Sequence, residues 1–309
     1  MTLLSVHLLT YNNEKHIEIT LESIVNQKVN FEYEIVIGDD CSTDNTTDIL
    51  TKYELQYPTL IKLERNETQL GILKNFKTTL DRCNGKYVFD LAGDDIIQSE
   101  NALQKMVDAL QKDTNIGFVD CGYDRLDDKN GRIIRFKNRK IITASKTAYL
   151  NAVLMGKIIP VGLCYNKDLL YQYVDFETYF KMNLTIEDYP ILVDMIMNTN
   201  FSRIIESLVT YRVHDTSYSH KKTFENHFFL NNQMRNLFDY MAKKYSYPEN
   251  IKQSFHNNSH KELLFFAGYF EKKELGEEVF QNIKSKNVKD YIHYYASQNK
   301  LFRKLIAII

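Results

Sequence analysis

The chain has 309 residues, 44% hydrophobic and 26% charged, a globular balance that excludes a disordered chain. Its 39 Lys+Arg against 40 Asp+Glu leave a net charge of −1, without the basic excess by which a protein grips nucleic-acid phosphates. With 11 Gly and 4 Pro it is neither collagen-like nor linker-rich, and its length suits one large domain or two.

Taken in chain order, the first half alternates strand and helix patterns. Residues 3–9 form a short apolar run of strand length, and Ile17, Leu21, Ile24 and Val25 then mark one face of a helix. Residues 33–38 read as a second strand. Ser42 and Thr43 offer caps for a helix carrying Ile49, Leu50 and Tyr53. A third strand is expected at 60–64, a helix with Ile72, Leu73, Phe76 and Leu80, a fourth strand at 86–91, a helix with Leu103, Met106, Val107 and Leu110, and a strand at 116–122. Such alternation predicts βαβ units and a largely parallel sheet, with helices on both faces.

Beyond residue 122 the alternation loosens. Asn130-Gly131 signals a hairpin. Residues 145–155 read as a helix, 158–165 as a strand, 188–197 as a helix with Pro190 in its first turn, and 203–213 as a long strand. From about residue 220 the strand pattern stops. Helices are expected at 224–245, 248–270, 274–284 and 288–308, so the chain divides into 1–219 and 220–309, with a boundary near 216–222.

The four cysteines, Cys41, Cys83, Cys121 and Cys164, are widely spaced and read as reduced thiols of a cytosolic protein. The apolar run at 3–9 is too short for a signal peptide, and no run approaches the roughly 18 residues of a membrane span. The expected location is the cytoplasm, with peripheral contact at the inner face of the cell membrane as a further option. Lys221-Lys222, Lys243-Lys244 and Lys272-Lys273 read as exposed helix faces, with attraction to anionic headgroups as the alternative. The terminal segment 301–309 reads as a packing helix end. His256 and His260 have zinc-like i, i+4 spacing but no H-E-x-x-H glutamate between them, and read as a solvated face.

The chemistry collects after three strands. Thr10-Tyr11-Asn12-Asn13 follows the first, Asp39-Asp40-Cys41-Ser42-Thr43-Asp44 the second, and Ala92-Gly93-Asp94-Asp95 the fourth. Ligands of such sheets bind beyond the carboxyl ends of the strands, which places these segments side by side. Two carboxylate pairs facing one crevice repel unless a cation or hydrogen-bond donors offset them. Hard cations such as Mg²⁺ or Mn²⁺ suit these oxygens and bridge to phosphates. The residues therefore point to a metal-assisted phosphate or diphosphate site; the alternative is that these Asp residues cap helices and turns.

Residues 5–27 (SVHLLTYNNEKHIEITLESIVNQ), 33–46 (YEIVIGDDCSTDNT) and 66–96 (NETQLGILKNFKTTLDRCNGKYVFDLAGDDI) resemble the family 2 glycosyltransferases of GT-A fold. TIEDYPI at 185–191 is similar to the family's Glu-Asp block, and YRVHDTSYS at 211–219 to its Tyr-Arg-x-His segment. The resemblance runs in order from about residue 3 to 219, about 70% of the chain. It implies an α/β GT-A domain (Rossmann-like, its mostly parallel sheet flanked by helices) followed by a C-terminal helical region. It also implies transfer of a sugar from a nucleotide sugar, a UDP-sugar in the first instance, to a hydroxyl of a glycan, glycolipid or glycoprotein, with inversion. By the same resemblance Thr10 and Tyr11 would wall the nucleoside pocket, Asp40 would accept a hydrogen bond from the base, and Asp39 would support that loop or the ribose. Asp94 and Asp95 would hold Mn²⁺ or Mg²⁺ on the diphosphate, with His214 able to reach metal or diphosphate, and Lys74 and Arg212 would be further diphosphate contacts. Asp188 matches the catalytic base. Ala92 stands where the D-x-D block has its first Asp, which lowers the expected number of protein ligands to the metal. The aromatic stretch 165–180 borders the acceptor site or belongs to the core. Two other classes share some of these features: a sugar nucleotidyltransferase, which should carry a Gly-rich basic loop after the first strand, and a non-catalytic nucleotide-sugar or glycan-binding protein, suggested by Ala92. Sugar, acceptor, linkage and oligomeric state are not written in the sequence.

Overall fold

The computed structural model describes residues 2–135, 145–214, 223–300 and 302–303. The chain forms two compact units: residues 1–153 with 158–214, and residues 154–157 with 215–309.

The first unit is an α/β layer structure. Its strands are β1 (Leu4–Thr10), β2 (Tyr33–Asp39), β3 (Ile61–Arg65), β4 (Tyr87–Ala92), β5 (Ile96–Ile97), β6 (Ile116–Asp127), β7 (Arg132–Ile134), β8 (Cys164–Asn166) and β9 (Asn200–Val213). Among the described residues they make one sheet in the order β3-β2-β1-β4-β8-β6-β9-β5, with β7 paired to β6. β1 pairs in parallel with β2 and β4, and β2 with β3. β8 runs antiparallel to both β4 and β6, while β6 and β9 are parallel. The helices are α1 (Ile17–Val25), α2 (Thr46–Gln56), α3 (Ile72–Arg82), α4 (Ala102–Leu110), α5 (Lys146–Leu154), α6 (Lys167–Tyr173), α7 (Phe176–Lys181) and α8 (Asp188–Asn198).

Strand alternation sorts the core. Leu4, Val6 and Leu8 of β1, Ile35 and Ile37 of β2, and Phe89 and Leu91 of β4 pack with Ile17, Leu21 and Ile24 of α1 and Leu103, Met106 and Val107 of α4. Each fully buried aliphatic side chain contributes about 1.5–3 kcal/mol. His7 and Asp90, one residue out of phase with this set, share the face on which Phe76 of α3 packs edge-on to the His7 ring at 4.6 Å. Farther along the sheet, Asp120 of β6 and Arg203 of β9 are register partners and form a buried ion pair at 2.7 Å. Tyr149 of α5 donates to the same Asp120 carboxylate at 2.7 Å and lies under the guanidinium.

Two local expectations are corrected. Ser42 and Thr43 do not cap α2, whose N-cap is Asn45; Ser42 donates instead to Asp39, and Thr43 to Asn12. The strand expected at 158–165 shrinks to Cys164–Asn166. Pro160 has no amide to give a ladder, and Gly162 sits at φ +63° where a Cβ would meet Val209 at 2.5 Å. The aromatic stretch at 165–180 runs from β8 through α6 and α7, with Tyr165, Phe176 and Tyr179 in the core and Tyr171 exposed.

The second unit is helical: α9 (Phe224–Lys244), α10 (Glu249–Tyr269), α11 (Lys273–Asn282) and α12 (Val288–Gln298). Leu263, Leu264, Val279 and Ile283 form its core cluster. The last long helix ends at Gln298, after which Asn299 has extended backbone; of the expected continuation to 308, residues 301 and 304–308 lie outside the described residues, as does 309. So do Lys221-Lys222 and the proposed boundary segment 216–222. Lys243, Lys244 and Lys273 are exposed, whereas Lys272 lies over the Phe224 ring at 4.4 Å. His256 pairs with Asp239 at 2.9 Å. All four cysteines are free thiols, three of them buried, and burial pushes the Cys83 thiol up to about 12. Among the described residues no helix is long and apolar enough to cross a membrane.

Candidate active site

The carboxyl ends of β1, β2 and β4 lie side by side, and backbone bonds lock them there. Asp40 N–H donates to the Thr10 carbonyl at 2.9 Å, and Gly93 N–H to the Leu9 carbonyl at 2.8 Å. Gly93 permits this approach: a Cβ there would stand 2.6 Å from Thr10 Oγ1. Asn12 and Cys41, on the loops leaving β1 and β2, adopt left-handed φ of 53° and 66°, a conformation sparsely used by residues other than Gly. The loops interlock: Asn12 N–H donates to Ser42 Oγ, and Thr43 N–H to Asn12 Oδ1.

Within this edge Thr10 is buried and Tyr11 is 41% exposed. Asp39, fully buried, accepts from Ser42 N–H and Oγ–H and from Thr47 Oγ1–H, holding the loop onto α2. Asp40 accepts from Asn66 Nδ2 (3.0 Å), Leu70 N–H (2.7 Å) and Gly71 N–H (2.9 Å). It thereby pins the loop that leads into α3. Lys74 is exposed on the first turn of that helix.

The family resemblance groups Asp94, Asp95 and His214 around one cation. The structure joins two of the three. His214 Nε2 lies 2.8 Å from Asp94 Oδ2. Asp95 instead accepts the Arg212 backbone N–H on Oδ1 at 3.0 Å, and its own carbonyl accepts from Thr20 Oγ1. Asp95 is buried, and burial, with the Asp94 charge adding, pushes its carboxyl well above the usual range. Among the described residues no three His, Cys, Asp or Glu side chains converge into a metal cage. One carboxylate and one imidazole nevertheless fit a Mn²⁺ or Mg²⁺ site in which phosphate oxygens and water complete the shell. Ala92, exposed at the strand end, supplies no ligand.

Arg212 is not a free cation. Its Nε donates to the Asp94 carbonyl at 3.0 Å, its Nη1 pairs with Asp128 at 2.7 Å, and the side chain is buried. It braces β9 against the Asp94-Asp95 turn. His16 and Asp128 went unnoticed in the sequence. His16 is buried, its ring tilted 43° against that of His214 with centroids 4.8 Å apart, and it lies 3.8 Å from Asp128. Burial, aided by Arg212, lowers the His16 pKa, and the Arg212 hydrogen bond lowers that of Asp128. Neither residue belongs to a readable local motif: they stand 112 positions apart in the chain.

Asp188 opens α8 half-buried, its Oδ1 accepting its neighbour Tyr189 N–H at 2.6 Å. Burial raises its pKa, with the negative charge of Asp90 adding and the Tyr189 N–H opposing. Burial also pushes Glu187 well above its usual range, reinforced by Asp188 and Asp90. The negative charge of Asp90 adds to the raising of Asp95 as well.

The model for glycosyl transferase family 2 matches residues 5–160. The abequosyltransferase RfbV of Salmonella typhimurium is 34% identical over 100 residues, covering 32% of this chain and 30% of that protein. The chain spans about a third of the length of the first curated relatives it matches. The crystal structure of Staphylococcus aureus TarS residues 1–349 in complex with UDP superposes with a TM-score of 0.62 at 20% identity, over 99% of this chain and 90% of that one. The mannosyltransferase PcManGT of Pyrobaculum calidifontis, in complex with GDP-Man and Mn²⁺, does so with a TM-score of 0.58 at 14% identity, over 98% and 83%. At these identities the likeness is one of fold, and that fold is GT-A. With the family model spanning half of its length and its sheet edge built from the same segments, the chain belongs to glycosyl transferase family 2.

Proposed function

We propose that the protein is an inverting glycosyltransferase that moves a sugar from a UDP-sugar to a hydroxyl of a glycan, glycolipid or glycoprotein, with Asp188 as general base. The observation that carries this reading is the juxtaposition at one sheet edge of the Asp94–His214 pair, the Asp40-pinned loop and the exposed Tyr11 ring. The nucleoside would lie against Tyr11 and Thr10. Asp39 and Asp40 shape that pocket through the loops they hold, and Lys74, one turn beyond the pinned loop, is free to swing toward a phosphate.

Asp94 and His214 would hold a Mn²⁺ or Mg²⁺ ion, which supplies compensation for the negative charge that builds on the leaving diphosphate. Arg212 and Asp128 keep that pair in place. Because His214 already sits on Asp94, the imidazole is oriented before ligand arrives. The acceptor hydroxyl is a poor nucleophile, and Asp188 takes its proton as the new glycosidic bond forms. Burial and like charge raise the Asp188 pKa, which makes it a stronger base than an exposed Asp. Inversion involves no covalent sugar–enzyme intermediate, so no nucleophilic Ser or Cys is required.

Purified protein incubated with UDP-sugars, Mn²⁺ and an acceptor panel should release UDP. Asp188→Asn should lower that release by at least about 100-fold while UDP binding stays within twofold. Full activity in Asp188→Asn would refute the base assignment.

A further inference from the structure

The last long helix of the second unit, α12, is turned inside out. A surface helix ordinarily points its apolar stripe at the core and its polar residues at water. Here Asp290, Ala296 and Ser297 are the buried residues, on a helix that packs on α10 and α11. Asp290 pairs with Lys261 of α10 at 3.0 Å and accepts the Asn287 N–H at 2.7 Å. Gly276 of α11 comes so close that a Cβ there would stand 2.2 Å from Ser297 Oγ. The opposite side is apolar. Val288, Tyr291, Ile292 and Tyr295 follow the i, i+3, i+4, i+7 spacing of one helix face. Val288 is 76% exposed, Tyr291 46% and Tyr295 47%. Phe280 of α11 packs edge-on to Tyr291 at 5.2 Å, and Phe302, itself exposed, lies 5.3 Å from Tyr295. Both rings extend the strip.

The charges around this face identify what covers it. From residue 283 to 303 the sequence holds Lys284, Lys286, Lys289, Lys300 and Arg303 against one acid, Asp290, which is buried and already paired. Lys284, Lys289 and Lys300 are exposed, Lys286 lies over the Phe280 ring at 4.9 Å, and Arg303 pairs with Glu271. The whole chain carries a net charge of −1, so the basic surplus is local. Tyrosine rings flanked by long cationic side chains match the boundary between acyl chains and anionic headgroups, where rings enter the interface and ammonium groups reach phosphates. A second copy stacked strip on strip would set these lysines against one another, which opposes a symmetric dimer through this face.

We propose that the outer face of α12, with Phe302, is a docking surface for an anionic membrane, on which the protein lies without crossing it. The inference uses nothing of the Tyr11–Asp94 site. The chain contains no Trp, so Tyr295→Trp places a single fluorophore on the strip, and Leu55→Trp places one on an exposed position of α2.

The test mixes the full chain with vesicles of phosphatidylcholine alone or of phosphatidylcholine with phosphatidylglycerol. It should sediment with the anionic vesicles, at least about tenfold less with the neutral ones, and be released as salt rises. Brominated lipid should quench Tyr295→Trp and leave Leu55→Trp unquenched. Tyr291→Ser combined with Tyr295→Ser should weaken binding at least about tenfold while the circular-dichroism spectrum stays that of the parent. Lys284→Glu, Lys289→Glu and Lys300→Glu together should weaken it as much through charge alone. No binding to anionic vesicles, equal binding to neutral ones, or an unquenched Tyr295→Trp on bound protein overturns the proposal. So does a dimer, seen by light scattering, that the paired serine variant dissociates. Each of these failures leaves the sugar-transfer reading untouched, because the assay contains no nucleotide.

Discussion

Three donors from one loop converge on the Asp40 carboxylate, and two of them are backbone amides. Charge-assisted bonds of this kind are stronger than neutral ones, and amides left without an acceptor are costly. Asp40→Ala should therefore destabilise the fold by about 2–3 kcal/mol in urea unfolding and weaken UDP binding, because residues 66–71 lose their anchor. Unchanged stability would mean that the loop is held elsewhere. Glu187 gives a pH-dependent counterpart. Its folded-state pKa is raised by burial and by Asp188 and Asp90, so the stability it confers is full below its ordinary value of 4.5 and lost as pH rises through the folded value. Glu187→Gln should melt like the parent near pH 4 and above it at neutral pH. A gap that shrinks as pH rises would reverse the assigned sign. At this scale the polar residue types at the strand ends are legible in the sequence, but their partners are not. Asp95 looked like a ligand beside Asp94, yet its carboxylate is taken by a backbone amide 117 residues away. Nothing local announces such a bond.

At the scale of elements, β6 and β9 are held by more than their ladder. Asp120, Arg203 and Tyr149 tie two strands and α5 together inside the core. Breaking a buried pair strands one charge, so Arg203→Ala should cost about 3–5 kcal/mol, whereas Asp120→Leu with Arg203→Met should recover most of that loss in thermal unfolding. A double variant as unstable as the single one would show that packing, not the stranded charge, dominates. Helices and strands of the first 120 residues were legible because each has a clean period, with Leu4, Val6 and Leu8 on one side of a strand and Leu103, Met106 and Val107 on one side of a helix. The two-residue β5 and the short α6 and α7 have too few residues to show any period. Ser42 misled because a hydroxyl before a helix is an N-cap signal, and here Asp39 claims it first.

For the whole molecule, the parallel run β3-β2-β1-β4 carries the candidate site, because it brings three strand ends to one edge. That arrangement was readable from the βαβ pattern, whereas the antiparallel insertion of β8 between β4 and β6 was not. The most direct test of the account is a crystal structure of the full chain grown with UDP and Mn²⁺. It should show anomalous density for Mn²⁺ bonded to Asp94 and His214 and to diphosphate oxygens, with the uracil against Tyr11. UDP bound away from the ends of β1, β2 and β4, or Mn²⁺ bound without Asp94, would contradict it.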